Sequence, residues 1–459
     1  MSILKLANTD FESKSQNVSR LKVHNFYLSA NPLSEESFSY VSRPTLSPKY
    51  SVTGSRIWGL FSEDGCLGGS LFIVADQQLY EVTEANISPS LVGTLPGTGA
   101  VVFAGDSTRL FLSREGRCFV YDGSTLTELF LPDSGDLFGD VGYINGYFLF
   151  PVLGSSKFYW LQPATNVFDP LDFASAERSP DAIVSIRIVS DEIWFLGKTN
   201  VEVWAPTGDV LAPFQRINGR VYSEGCYNAS GAILATKNTL PCVIWVSAAK
   251  EVLLGQGGIT KISNTSIEEL LKDGETFFAW FFKRNRNDFY VLSCSTFTVV
   301  YDITNDLWYR WSSYSYPYWR TGTGTQKGSQ VLAGDTESGS VWALEEGVVD
   351  GSDDFLVCEV SGWYPLTDKS EPCASVKVEM NSGFTSSYTY QPKIELRWSD
   401  TQGATWSDYI HYQFNDRGEY ESSAWFRSLG TMRRPGRLFE FRFSELDNLR
   451  LDYVTLNEG

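Results

Sequence analysis

Residues 110–122 read LFLSREGRCFVYD: an apolar run, a polar turn, then a second mostly apolar run. Two short β-prone runs joined by a turn read as a hairpin. The same phrase returns six more times. It reads LFIVADQQLYEV from Leu71, FLFPVLGSSKFYWLQ from Phe148 and IWFLGKTNVEVWA from Ile193. It continues as VIWVSAAKEVLLG from Val243, FYVLSCSTFTVVYD from Phe289 and VLAGDTESGSVWALE from Val331. From Leu71 to Val331 the starts are 39, 38, 45, 50, 46 and 42 residues apart. A hairpin repeated at such intervals marks the blade of a β-propeller. Direct counting predicts seven blades; six or eight also fit, because the first and last copies can combine or belong to a connecting domain.

Composition agrees with an all-β chain large enough for a repeat domain plus an appendage. The chain has 459 residues, 42% hydrophobic and 15% aromatic. Aromatic side chains favour pleated surfaces and are enriched at protein interfaces. No stretch approaches the roughly 20 apolar residues that a membrane helix needs. The start, MSILKLANTDFESKSQN, lacks the apolar core of a secretory signal, so the expectation is a chain folded in a cytoplasm. Seven scattered cysteines without a CxxC pair are expected to be reduced and buried. The net charge of −18 excludes a conventional nucleic-acid binder, which neutralises phosphates with a basic patch.

Three regions follow from the pattern. Residues 1–50 are polar and Ser/Asn-rich and are expected to form an extended N-terminal arm. Residues 51–348 hold the propeller, with Asp122-Gly123 and Asn145-Gly146 as turn signals. One helix is predicted near 265–273, within SNTSIEELLKDGE, with Ser266 as its N-cap, Glu269 closing a capping box and Gly274 as its stop. Residues 349–459 carry strongly alternating runs such as ASVKVEM, PKIELRWS and RLFEFRFS, expected to form a C-terminal antiparallel β-sandwich domain.

Catalytic constellations are sparse. His24 and His411 are the two histidines, and serine or cysteine triads need an imidazole beside the nucleophile. No dinucleotide fingerprint or phosphate loop is present, and no cofactor is expected. The run Trp398–Trp406, WSDTQGATW, is similar to the Asp-box hairpin SxDxGxTW, with Thr401 in place of the central acid. That motif stabilises a turn and does not catalyse, so a glycan-binding or glycoside-hydrolase-like propeller stands as the alternative function. Two clusters are candidate partner surfaces. One is the aromatic run containing Tyr314, Tyr316, Tyr318, Trp319 and Arg320; the other is the basic set Arg427, Arg433, Arg434 and Arg437. Aromatic residues and arginine are the usual anchors of interfaces.

Four stretches resemble one family, the tail hub or nozzle protein of short-tailed bacteriophages, also called packaged-DNA stabilisation protein. RPTLSPKYSV is similar to the family's S-F-P-G-I-T-K-R-Y segment, without its glycine. RSPDAIVSIRIVSDEIWFLGKTNVEVWAPTGD resembles its QPDGI…F-G-x-x-T-I-E-Y-x-x-x-T-G strand pair. ISNTSIEELLKD resembles its inserted helix, and WSDTQGATWSD followed by WFRSLGTMRRPGRLFEFRF its C-terminal pattern. The resemblance implies a homohexameric ring in the virion tail, assembled in the host cytoplasm. Such a ring sits below the portal and adaptor, holds a tail needle or plug, and offers its sides to tailspikes or fibres. DNA would pass through its channel without specific binding, which an acidic wall favours by repulsion.

Overall fold

The computed structural model describes residues 2–9, 21–31, 37–176, 181–351, 354–367, 370–383, 393–413 and 421–457. Parts of the first fifty residues (10–20 and 32–36), the start of the second resemblance stretch (178–180) and two linker residues (352–353) therefore lie outside the described residues.

Seven antiparallel four-stranded blades follow one another along the chain, six as sheets of their own and the sixth in order as part of a nine-stranded sheet. Each predicted hairpin is the second and third strand of one of them. In blade 2, Leu110–Arg114 pairs with Arg117–Tyr121, Leu110 opposite Tyr121. The flanking strands Val102–Gly105 and Leu126–Leu129 complete that sheet. The second strand of blade 1, Leu71–Ala75, is buried at all five positions, while its fourth, Ser90–Thr94, is buried at none. A strand with neighbouring blades on both faces loses alternation and becomes uniformly apolar, and that is why the middle hairpins dominate the sequence.

The ring closes with a strand from far upstream. Blade 7 contains Thr321–Lys327, Gln330–Asp335 and Ser340–Glu345, and its fourth strand is Thr45–Ser51, with Glu345 opposite Thr45 and Ser340 opposite Ser51. Ile57, Leu71 and Ile73 of blade 1 then share a core with Leu332, Val341 and Ala343 of blade 7. Blades 6 and 7 approach tightly: a Cβ at Gly324 would lie 2.2 Å from the Trp280 ring.

Blade 6 does not end at its fourth strand. Leu307–Arg310 pairs in parallel with Val23–His24, which pairs with Val357–Pro365. The same sheet runs on through Gly436–Ser444, Lys393–Ser399 and Ile410–Gln413. A second sheet is built from Phe26–Ala30, Phe38–Ser42, Asp447–Leu456, Ser375–Gly383 and Glu421–Arg427, with Ser2–Ile3 also on Asp447–Leu456. The two sheets face each other and share one core with the propeller. Phe26 and Tyr40 join Phe439, Phe441 and Phe443 there, together with Trp280 and Phe289 of blade 6 and Trp311 and Trp319 of the connection to blade 7.

The first fifty residues thus differ from a free arm: among the described residues they supply strands to both sandwich sheets and to blade 7. Several of their described polar residues, among them Thr9, Asn25, Asn31 and Arg43, make long-range hydrogen bonds. Arg43 is buried and donates two bonds to Asp350 at 3.1 and 2.8 Å, and others to Asn25 Oδ1, Pro44 O and Ser312 O.

The helix spans Thr265–Lys272 and corrects the predicted cap. Asn264, not Ser266, is the N-cap, its side chain accepting the Ile267 N–H at 3.0 Å. Ser266 is buried inside the first turn, and Glu268, rather than Glu269, reaches back to accept from Ser263 Oγ at 3.0 Å. Asn and Ser cap almost equally well, so burial of Ile267 and Leu271 against blades 5 and 6 decides the register. Gly274 follows the helix for a steric reason: a Cβ there would lie 2.6 Å from the Phe277 ring.

Candidate functional site

The aromatic run connects the fourth strand of blade 6 to the first of blade 7, and its members separate by burial. Tyr314 is 52% exposed. Tyr316 and Tyr318 are half-buried with ring centroids 5.5 Å apart, and the Arg320 guanidinium lies 5.3 Å from the centre of Tyr316. The Tyr318 hydroxyl donates to Glu337 at 2.7 Å, and burial together with that carboxylate pushes its pKa up. Trp319 is a correction. It is fully buried, 5.7 Å from Trp280 and 5.1 Å from Trp311, with Arg43 over its ring, so it has no surface to offer a partner. Arg320 is committed to buried Asp335 by two hydrogen bonds of 3.1 and 2.6 Å.

The basic set also divides. Arg427, Arg433 and Arg434 are exposed at one end of the sandwich. Arg437 is a second correction: it is buried, holds Asp400 through bonds of 2.7 and 2.9 Å, and donates to the carbonyls of Leu429 and Thr431. It pins the Asp-box-like turn to the neighbouring loop. Within that turn Ser399 Oγ accepts from Thr401 N and Gly403 N, and Thr401 Oγ1 accepts from Thr405 N at 2.8 Å. Thr401 therefore does the work of the missing central acid as a turn stabiliser.

The sequence reading missed a cleft of about 550 Å³ between blade 6 and the sandwich, lined by Lys22, His24, Phe297, Arg310, Ser312, Tyr316 and Glu359 among others. His24 Nε2 lies 2.9 Å from Ser312 Oγ, and His24 Nδ1 lies 3.5 Å from Glu359. Glu359 also takes a bond from Lys22. Burial would push the Glu359 carboxyl up, but the His24 hydrogen bond and the Lys22 charge hold it down at about 2. A serine, an imidazole and a carboxylate in a row resemble a hydrolase triad, but acyl transfer also needs donors for the oxyanion. The Ser312 N–H is already bonded to Asn25 Oδ1 at 2.8 Å. His24 sits on the two-residue strand that joins blade 6 to the sandwich, and its neighbours serve that joint. Nothing short of the tertiary pairing of residues 24, 312 and 359 could have revealed the cluster.

The cysteines offer no alternative nucleophile. All seven are buried, and burial pushes the Cys66 thiol up to about 12. Among the described residues no cluster of three or more His, Cys, Asp or Glu is placed to hold a metal ion, and no helix is long and apolar enough to cross a membrane.

No curated protein matches the chain. Among solved structures, BamB from Moraxella catarrhalis is similar at 11% identity and a TM-score of 0.41, over 75% of this chain and 97% of its own. The computationally designed Ika8 protein is similar at 14% identity and a TM-score of 0.39, over 65% and 99% respectively. The sequence profile of one family, described as "Bacteriophage P22 Gp10, beta-propeller", matches residues 65–349, most of the repeat region. The chain belongs to that phage-stabilisation family, and it is a structural protein of a bacteriophage with a β-propeller at its centre.

Proposed function

We propose that the chain is one subunit of a ring-shaped tail hub, a homohexamer that extends the DNA channel below the portal and adaptor, retains packaged DNA and guides its ejection. The family match over most of the repeat region carries this reading. In this reading the protein acts by architecture and not by turnover, and it works in the virion tail after assembly in the host cytoplasm. Its partners are the portal or adaptor above, a needle or plug below, and tailspikes or fibres at the side. The chain divides into a propeller, residues 51–348, and a terminal sandwich, residues 349–459, that the first fifty residues bind together. A shared core between the two suits a rigid pipe segment, and a net charge of −18 per copy suits a wall past which DNA slides.

Electron microscopy of the purified protein and of particles tests the proposal. Rings of six with a central bore at the tail are expected. Discrete monomers absent from the tail, or release of reducing sugar from a glycan by the protein, would overturn it.

A further inference from the structure

Five arginines are buried among the described residues, and four of them hold an aspartate: Arg43 with Asp350, Arg109 with Asp106, Arg187 with Asp140 and Arg437 with Asp400. Arg114 is the exception. It is 1% exposed, its Nε and Nη1 donate to the backbone carbonyls of Gly99, Asp76 and Leu95, and its Nη2 has no partner. Arg114 ends the second strand of blade 2, Leu110–Arg114. In an antiparallel blade the second strand ends on the face where the first begins, and Arg56 stands on that face, just before the first strand of blade 1, Ile57–Phe61. Arg56 lacks an acid too. Its buried Nε has no partner, and its guanidinium makes no hydrogen bond or ion pair among the described residues.

One indole gathers both charges. The Arg56 guanidinium lies 4.2 Å from the centre of Trp58 and 4.8 Å from that of Phe278, which opens the first strand of blade 6; Arg114 lies 5.8 Å from the centre of Trp58. Cation–π contact offsets part of the cost of desolvating a guanidinium, but it supplies no counter-charge. The nearest acids are spent on other donors. Asp76 accepts from Ser55 N and Oγ, Glu115 from Thr98 N and Oγ1, and Glu337 from the Tyr318 hydroxyl. Burial pushes both guanidinium pKa values down, and these acids offset it only in part. Charges withdrawn from water without a counter-ion are costly. A third orphan stands beside them. Thr336 Oγ1 is buried without a partner, and the glycine at 322 keeps the space next to it open: a Cβ there would lie 3.4 Å from Arg56 Nη2 and 3.0 Å from Thr336 Cγ2.

We infer that this face of the propeller binds an oxyanion, a carboxylate or a phosphate, on Arg56. Arg56 is half-buried, so its head group meets solvent, and a guanidinium fork matches either anion through two parallel hydrogen bonds. Arg114, behind the Trp58 ring, adds a second positive charge, and Thr336 Oγ1 adds a donor. A bound anion supplies the counter-charge that the chain itself withholds from these two arginines. The inference goes beyond the ring and holds whether or not the chain forms one.

The test uses the full chain, with potassium phosphate and potassium glutarate as probes against chloride at matched ionic strength. Isothermal titration calorimetry should show one anion bound per chain. Arg56→Gln should weaken that binding about tenfold or more, and Arg433→Gln, at an exposed arginine of the sandwich, should leave it unchanged. Binding of phosphate alone assigns the site to a free or nucleotide phosphate; binding of glutarate as well assigns it to an acidic side chain of a partner protein. Urea unfolding separates this role from a structural one. In chloride, Arg56→Gln should be more stable than the parent, because it removes a half-buried unpaired charge; in the anion that binds, the order should reverse. Failure of both anions to bind, or equal binding by Arg56→Gln, overturns the inference. So does an Arg56→Gln chain that fails to fold or is less stable than the parent in every buffer. Each of these results leaves the ring itself untouched.

Discussion

The propeller and the sandwich are both antiparallel β structure, yet they are written into the chain in opposite ways. Blades 1 to 6 each pair four strands within a few tens of residues, as in Val102–Leu129 of blade 2. The sandwich pairs Ser2 with Leu456 and Val23 with Val360, and blade 7 pairs Thr45 with Glu345. Local pairing leaves a repeated signal in the sequence. Pairing across hundreds of residues carries a large loop-closure cost and leaves none. The lesson is that the repeat region alone is an incomplete object, since its last blade and its outer wall come from the two ends.

The largest expected effect removes that completion. A chain lacking residues 1–51 loses the fourth strand of blade 7 and strands from both sandwich sheets. It should show no single cooperative transition in thermal or urea unfolding; a transition like that of the full chain would mean that the propeller stands without its closure. Next is the buried ion pair at the same junction. Asp350→Ala strands the Arg43 guanidinium, whose side chain and partner are both 1% exposed, and should cost about 3–5 kcal/mol in denaturant unfolding.

The aromatic run sharpens the same comparison residue by residue. Trp319→Ala should cost about 3–5 kcal/mol, since a large ring leaves the shared core. Tyr314→Ala should stay within about 0.5 kcal/mol, since its ring is half in water. Equal effects would contradict the division of that run into core and surface. A pH titration probes the joint between the regions. The Glu359 carboxyl is held at about 2, below an ordinary value of 4.5, so its contribution is fully present above the unfolded pKa. That contribution fades as pH falls from about 4.5 toward 2, and Glu359→Gln should flatten this part of the stability profile. The smallest effect is at the helix. Asn264→Ala should cost about 1 kcal/mol by loss of the cap, whereas Ser266→Ala should cost less.

Much of the candidate surface was readable and some was not. Aromatic and basic clusters are visible as strings, but a string does not say which side chains face inward. Tyr314, Arg427, Arg433 and Arg434 kept their surface, while Trp319 and Arg437 were drawn into cores built by residues far away in the chain. The arginines around Trp58 were invisible for the same reason. Arg56 and Arg114 look like ordinary solvated charges, and only the closed ring of blades shows that they share one indole and no acid.

Amino-acid order was enough to show seven hairpins and a propeller, with six or eight blades still open, because each hairpin's burial on both faces is a local demand for uninterrupted apolar residues. It also marked the existence of one helix and of a second β region. Folding in three dimensions chose what joins to what: the strand that shuts the ring, the sheet that runs from blade 6 into the sandwich, and the residue that caps the helix. Those choices depend on hydrogen bonds and contacts between segments far apart in the chain, and a backbone partner three hundred residues away has no local spelling.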